Sequence, residues 1–307
     1  MEGITGRIFR RAYEESFPGR VDTYFAPFIA SGVKKGVAGK DLRELLPEDN
    51  EGYTLIPQLL TNSVEDFENT AGVLKSMGYK NINLNLGCPS QTVVSKGRGA
   101  GMLADLPRLE RFLTGAYDYC EKSGISLSLK TRLGLVEEEE FAPLLKLYNR
   151  FPVHELIIHT RLRNDYYKLP CRPEQYAFAY ENAEMPLVYN GDILCAADVE
   201  KVSSCYPGTK AVMIGRGFLK KPWMLDHDDD QACYARMWTF HDRILELYRE
   251  EMSGETPVLF KMKELWSYLG ETMEQINPES KKQLKVIRKS RSIAEYYAAT
   301  RIIRNSI

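Results

Sequence analysis

One cysteine follows directly on a short apolar run, in the segment Asn83-Leu84-Asn85-Leu86-Gly87-Cys88-Pro89. An asparagine that points inward near the end of a strand, followed by Gly-Cys-Pro, places an amide and a thiol in the same loop. A buried cysteine usually serves only as packing, and we keep that interpretation for the other five cysteines. Cys88 differs because it lies in a loop rich in glycine and proline directly after a strand, so we treat it as a candidate for chemistry.

Polar residues end most of the other short apolar runs. The polar ends are Gln58, Asn85, Lys130, His159, Asn190 and Arg216. Lys130 is the most informative, because an unpaired ammonium inside an apolar strand is costly unless it has a role. If the runs are parallel strands of one barrel, their carboxyl ends and the loops that follow form a single mouth, where catalytic groups are assembled.

Seven such runs alternate with stretches of helical character, which predicts βαβ units and a parallel sheet. The predicted strands are residues 24–29, 55–60, 82–87, 127–132, 155–160, 187–191 and 211–216. A barrel of this type has eight strands, and the chain opens on a predicted helix, residues 5–16, that should follow a first strand. The sequence therefore predicts a TIM (β/α)₈ barrel that apparently lacks its first strand, followed by a C-terminal all-helical domain.

The pattern changes after Trp223, where three helices are predicted at residues 231–252, 256–273 and 278–305. We place the domain boundary near residue 230, which gives a barrel domain at 1–230 and a helical domain at 231–307. The helical domain carries 13 Lys/Arg against 10 Asp/Glu, and between residues 281 and 304 eight cations face only Glu295. A solvated helix face and an anionic partner such as nucleic acid both remain open interpretations of this charge.

Composition is ordinary for a globular protein, with 307 residues of which 44% are hydrophobic and 27% charged. No run approaches the ~18 apolar residues of a membrane-spanning helix, and the first residues lack the pattern of a secretory signal. The six cysteines form no CxxC pair and have no histidine at metal-ligand spacing, which argues against a zinc site and against a disulfide scaffold. We expect a cytoplasmic, monomeric protein without a metal.

Several motifs, in order, resemble the signature blocks of the tRNA-dihydrouridine synthases. They are LNLGCPS with GRGAGML, then LSLKTRLG, IIHTR, VYNGDI and MIGRG with Pro222-Trp223. The resemblance implies a barrel that holds FMN across its mouth, takes electrons from NADPH and reduces a uracil in tRNA. In this reduction, as the resemblance implies it, the flavin gives a hydride to C6 of the uracil, and the cysteine that matches Cys88 gives a proton to C5. A thiol titrates near pH ~8.5, so most of it remains protonated and able to donate at neutral pH.

The resemblance also assigns roles to the polar strand ends. It places Gln58 and Lys130 at the polar edge of the flavin ring with His159 nearby, and it makes Asn85 and Arg161 candidates for holding the uracil. The flavin phosphate is expected at Asn190, Gly191, Asp192, Gly215 and Arg216, because the loops after the last two strands are the usual phosphate position in such barrels. Two alternatives stay open: Arg216 could be a surface ion-pair partner, and Asp192 could contribute only its backbone.

The start of the chain departs from the family pattern. Met1 matches a methionine that normally follows the first strand and lies against the flavin, whereas the strand and the proline before it are not seen. Because a barrel without one strand has two open edges, the sequence predicts weak FMN retention, caused either by a start assigned too late or by a genuine truncation.

The target base must leave the RNA stack to reach a flavin in a barrel mouth, and the basic residues 281–304 suit the RNA backbone. Two other functions remain open from the sequence. One is an FMN barrel that acts on a free pyrimidine, as a dihydroorotate dehydrogenase does, which would leave the basic tail unexplained. The other is an RNA-binding protein without catalytic activity, in case the barrel cannot hold FMN.

Overall fold

The computed structural model of the chain describes residues 3–30 and 39–307. Met1, the predicted flavin contact at the start of the chain, lies outside the described residues. Strands and helices alternate up to residue 213, and only helices follow. No helix in the described residues has the combination of length and apolar composition that crossing a membrane requires.

The eight described strands are short and all lie in the first 213 residues. They are β1 (Thr23–Phe25), β2 (Thr54–Ile56), β3 (Gln58–Leu59), β4 (Asn81–Leu86), β5 (Ser126–Arg132), β6 (Leu156–His159), β7 (Leu187–Asn190) and β8 (Ala211–Met213). Helices between the strands are α2 (Gly39–Arg43), α3 (Val64–Ser76), α4 (Gln91–Val94), α5 (Leu106–Ser123), α6 (Phe141–Tyr148), α7 (Pro173–Asn182) and α8 (Ala196–Cys205). Helix α1 (Arg7–Ser16) precedes them, and α9 (Arg216–Lys220), α10 (Asp230–Glu251), α11 (Glu255–Ile276), α12 (Ser280–Lys289) and α13 (Ile293–Arg304) follow.

The strands pair in parallel and in the order of the chain. Strand β1 pairs with β2, and β3 to β8 form one sheet in sequential order. Sequential order without a reversal is the arrangement of a (β/α) barrel, whereas a doubly wound sheet changes direction at a switch point. The predicted fold class, a parallel α/β barrel followed by C-terminal helices, is therefore confirmed.

A proline explains why the second predicted strand, residues 55–60, appears as β2 and β3. Pro57 separates them because proline has no N–H to donate to the ladder. The neighbouring strand breaks at the same level, at Pro27, and rejoins at Ile29, whose N–H donates to the Gln58 carbonyl at 2.8 Å. Strands β2 and β3 are thus one interrupted strand, so the seven predicted strands are all present.

The last predicted helix, residues 278–305, is in fact two helices, α12 and α13. Helix α12 ends at Lys289, and Ser292 starts the next helix by accepting a hydrogen bond from the Glu295 N–H at 3.2 Å. Ser292 and Glu295 form the S-x-x-E spacing typical of a helix start. The prediction missed this signal because the apolar spacing continues across the break.

The chain divides into two compact units. Among the described residues, the α/β unit comprises 23–30, 39–192 and 197–214, and the helical unit comprises 3–22, 193–196 and 215–307. Helix α1 belongs to the helical unit, where the Phe9 ring meets Phe240 of α10 edge to face at 5.3 Å between centroids. The predicted functional boundary near residue 230 stays a prediction.

Candidate active site

The register of the α/β unit places the polar strand residues on one face of the sheet. Asn83 and Asn85 of β4 pair with Ser128 and Lys130 of β5, and Gln58 of β3 pairs with Asn83. Because side chains alternate along a strand, residues two apart point the same way. The same rule adds three further residues to this face, and they are Arg132 of β5, His159 of β6 and Asn190 of β7.

Four of these side chains form a continuous line of hydrogen bonds. The Asn83 amide donates to the Ser128 hydroxyl at 2.8 Å, the Gln58 amide donates to Asn83 Oδ1 at 2.8 Å, and the Asn85 amide donates to Gln58 Oε1 at 2.7 Å. All four side chains are buried. A buried polar group is costly unless it is paired, so this line fixes the rotamers of Gln58 and Asn85 at the carboxyl ends of their strands.

The loop that carries Cys88 is held from three sides. Asn85 Oδ1 accepts the N–H groups of Gly87 and Cys88 at 3.0 and 2.9 Å, and Arg132 Nε donates to the Gly87 carbonyl at 2.9 Å. On the far side the Cys88 carbonyl accepts the N–H of Ala100 at 3.1 Å. Gly99 lies against this point with φ of +55°, and a Cβ there would be 3.0 Å from the Cys88 Cβ and carbonyl oxygen. The Cys88 position is therefore set before any ligand arrives.

Lys130 points into the same site and is largely surrounded by protein. Its ammonium donates to Asn190 Oδ1 at 2.9 Å, and Asn190 in turn donates to the Met213 carbonyl at 2.8 Å. Burial lowers the pKa of Lys130 to about 7, helped by the nearby Arg132 guanidinium and opposed by Cys88. An ammonium has three N–H donors, so Lys130 is suited to receive a further, negatively charged partner.

Arg132 is a site residue that the sequence analysis did not select. It is buried, and its Nη1 donates to the Leu162 carbonyl at 2.8 Å while its Nε holds Gly87. Burial lowers its pKa, and the neighbouring Tyr167, Asp165 and Cys88 oppose this shift. A guanidinium nevertheless stays charged at neutral pH. Arg132 thus adds a fixed positive charge beside the Cys88 loop.

His159 is buried on the polar face of the sheet and contacts an arginine. Arg161 Nη1 donates to His159 Nε2 at 3.3 Å, and because a guanidinium can only donate, the ring proton must be on Nδ1. Arg161 also donates to the Leu169 carbonyl at 2.6 Å and to Cys171 Sγ at 3.0 Å, and it forms an ion pair with Asp192. Arg161 is buried with four protein partners, and its predicted contact with uracil stays a prediction.

The loop after β7 takes its shape from Gly191 and from the ion pair between Arg161 and Asp192. Gly191 has φ of +149°, and a Cβ at this position would be 2.5 Å from Cys171 Sγ. Asp192 follows with φ of +43°, and its carboxylate faces Arg161. The carboxylate is neutralised within the protein by Arg161, and the part that Asp192 takes in a phosphate site stays a prediction.

The remaining predicted phosphate residues belong to the helical unit. Gly215 is the residue immediately before α9, and Arg216 is the first residue of that helix. The prediction that they join Asn190, Gly191 and Asp192 at one phosphate site is not tested by the structure and stays a prediction.

A simple sequence signal would have found the residues that were missed. Ser128, Lys130 and Arg132 lie two apart on one strand, so the choice of Lys130 already implied that the other two share its face. Asn83 stands in the same relation to Asn85. Tyr167 carried no such signal, because its contact with Arg132, at 5.9 Å from guanidinium to ring centroid, depends on the course of a loop.

The lowered pKa of Lys130 has a measurable consequence for folding. In the unfolded chain the ammonium regains its ordinary pKa of 10.5, so between about pH 7 and 10.5 the unfolded state binds more protons. The stability of the wild type should therefore rise with pH across this window through Lys130. We expect Lys130→Met to be more stable than wild type by about 2–4 kcal/mol at pH 7, and the difference should shrink toward pH 10.

Urea unfolding of both proteins at pH 7, 8.5 and 10 measures this difference. Lys146→Met, which removes an exposed ammonium on α6, is the matched control and should show no pH-dependent difference. A difference between Lys130→Met and wild type that stays constant with pH would contradict the lowered pKa.

Comparison with known proteins identifies the family. The sequence profile described as dihydrouridine synthase matches residues 1–298. A probable tRNA-dihydrouridine synthase 2 of Bacillus subtilis is 27% identical over 261 residues, covering 83% of this chain and 78% of that protein. A probable tRNA-dihydrouridine synthase of Staphylococcus aureus is 28% identical over 235 residues, covering 74% and 69%. The match over nearly the whole chain agrees with the ordered motifs and with the polar face of the sheet: the chain belongs to the dihydrouridine synthase family of enzymes.

Proposed function

We propose that this protein reduces uridine to 5,6-dihydrouridine in tRNA, with FMN bound at the mouth of the barrel and NADPH as the reductant. The observation that carries the proposal is the convergence of Cys88, Lys130, Arg132 and Asn85 on one face at the carboxyl ends of β4 and β5. Similarity to proteins named tRNA-dihydrouridine synthases supplies the class of substrate.

The residues present fit the polar edge of a flavin. Lys130 makes one hydrogen bond to a side chain within the described residues, to Asn190, and its other N–H donors are available. A negatively charged partner would restore the positive charge that burial disfavours, as expected for a lysine beside a reduced ring. Gln58, on β3 and separated from Lys130 by β4, is held in a fixed rotamer by Asn83 and Asn85, and His159 completes the proposed set on β6.

The proposed phosphate site uses backbone more than side chains. Gly191 allows close approach because it has no Cβ, and its φ of +149° turns the chain directly after β7. By the family resemblance we assign the phosphate to Asn190, Gly191, the Asp192 backbone, Gly215 and Arg216. Arg216 would supply a charge-assisted hydrogen bond. Met1 keeps its proposed place against the flavin ring by resemblance alone.

FMN held by these residues would, when reduced, supply a hydride for C6 of the uracil. Cys88 donates its thiol proton to C5 from a loop that Asn85 and Arg132 hold in place. The thiolate that remains lies close enough to Lys130 and Arg132 to interact with both charges, so the product state is electrostatically favoured. The second amide N–H of Asn85 is free to meet a uracil carbonyl, since within the described residues only one is engaged.

The RNA must present an unstacked base to this site and bind elsewhere through its phosphates. Helix α12 offers a suitable surface, which we call the basic face of α12 and define by five exposed cations: Lys281, Lys282, Lys285, Arg288 and Lys289. The helix has no acidic residue, and in the described part of the chain only Lys281 has an ion-pair partner, Glu274 at 2.8 Å. Unpaired exposed cations are the usual contacts of an RNA backbone.

Removal of the Cys88 thiol should separate the two half-reactions. In Cys88→Ala we expect NADPH to reduce the bound flavin at the wild-type rate, because the thiol takes no part in that step. Dihydrouridine formation in tRNA should fall by about 10²–10⁴-fold, the usual contribution of a positioned proton donor. Flavin absorbance in the stopped flow measures the first step, and mass spectrometry of digested tRNA measures the second.

Cys205→Ala, which removes an exposed thiol on α8, is the matched control and should behave as wild type. Normal dihydrouridine formation by Cys88→Ala would contradict the assigned role. Parallel assays with free uridine and with orotate test the alternative of a free-pyrimidine enzyme, and we expect turnover only with tRNA.

Neutralising the basic face of α12 should weaken tRNA binding in a salt-dependent way. With Lys282, Lys285, Arg288 and Lys289 all changed to Gln, the slope of log Kd against log salt should fall by about 0.7–0.9 for each phosphate that the protein no longer neutralises. Filter binding of tRNA across a salt series measures the slope. Flavin reduction by NADPH should be unchanged, since these side chains lie on an exposed helix face.

A matched variant changes four exposed cations of the α/β unit, Lys75, Lys80, Arg111 and Lys122, to Gln. It removes the same charge, so a general electrostatic effect would lower the slope equally in both variants. Equal slopes in the two variants would contradict a specific role for α12.

A further inference from the structure

Two adjacent tyrosines are exposed in the loop between β6 and α7. Tyr166 is 37% exposed and Tyr167 is 50% exposed. They face different neighbours: the Tyr167 ring lies 6.0 Å from the His159 ring and under the Arg132 guanidinium, both of the polar face of the sheet. The Tyr166 ring instead lies under the Arg163 guanidinium, 5.4 Å from its centroid. Of the two rings, only that of Tyr166 has no described ring or cation contact with the residues of the proposed active site.

The backbone of Tyr166 is in a conformation that tyrosine rarely adopts. Its φ is +49°, in the left-handed region that glycine and asparagine tolerate better. Backbone bonds hold the loop in this shape, since the N–H groups of Arg163 and Asn164 donate to the carbonyls of Gly134 and Leu135 at 2.9 and 3.1 Å. A strained bulky residue that keeps its ring exposed points to a role for that ring.

Arg163 connects this ring to the loop that carries Cys88. Its guanidinium donates to Gln91, the first residue of α4 and three residues beyond Cys88. Its planar group also covers the Tyr166 ring, so an aromatic face and a cation lie together at the rim of the barrel mouth. Unstacked RNA bases are commonly bound by stacking on aromatic rings or on arginine planes, while the cation attracts the adjoining phosphate.

We propose that Tyr166 and Arg163 form a stacking platform for a nucleotide next to the target uridine in the RNA. This inference rests on the proposed function. Withdrawal of the target base from its stack leaves its neighbour with one uncovered face, and an exposed ring stabilised by an arginine replaces the lost stacking partner. The platform recognises any base by its π-face, so it adds affinity for the opened RNA without selecting a base.

Three variants separate the ring from the backbone strain. Tyr166→Asn keeps a residue that tolerates positive φ but removes the ring, Tyr166→Phe keeps the ring, and Val73→Ala changes an exposed residue on α3 as a surface control. We expect the Kd for tRNA to rise about 5- to 100-fold in Tyr166→Asn, the range for loss of one stacked base. Tyr166→Phe and Val73→Ala should bind tRNA as wild type does.

A second readout is the rate at which NADPH reduces the bound flavin, which should be equal in all four proteins because the platform takes no part in that step. An unchanged Kd for tRNA in Tyr166→Asn, with wild type forming dihydrouridine, would overturn the platform and leave the proposed function standing. A weakened Kd in Tyr166→Asn, with wild type forming no dihydrouridine, would show that the ring contacts tRNA, but it would overturn the proposed function and with it the place of the platform beside a target uridine.

Discussion

The carboxamide of Asn85 joins the sheet to the loop that carries Cys88. Its oxygen accepts the N–H groups of Gly87 and Cys88, and its nitrogen donates to Gln58. One side chain thus fixes the position of the thiol relative to the strand ends, and the Gln58–Asn83–Ser128 line behind it prevents rotation of the amide. A catalytic group gains most when such a second layer holds it before the substrate binds.

The two cations of the site, Arg132 and Lys130, are also held in place by hydrogen bonds within the protein. Arg132 is held by two backbone carbonyls, Gly87 and Leu162, and Lys130 is held by Asn190. No carboxylate among the described residues forms an ion pair with either of them, so no ion pair within this part of the chain offsets their positive charge. This surplus positive charge disfavours folding and favours a negatively charged ligand, which is the usual trade between stability and function.

The fold and the polar strand ends were predictable because they follow local rules. Alternating apolar runs and helices indicated parallel strands, and Gln58, Asn85 and Lys130 were recognisable as polar residues at apolar strand ends. The breaks at Pro57 and at Ser290–Ser292 were less visible, because apolar spacing continues through both. The partners of Arg161 and the positive φ of Tyr166 depend on how loops meet in space, and a single sequence carries no signal for such contacts.

The most direct test of the account is to incubate the protein with FMN, NADPH and transcribed tRNA that contains no modified nucleosides. Digestion and mass spectrometry of the nucleosides then report whether any uridine has gained two hydrogen atoms. The account predicts dihydrouridine at defined positions, dependent on NADPH and on flavin. Flavin that is retained and reduced by NADPH, together with tRNA that remains entirely unreduced, would contradict it.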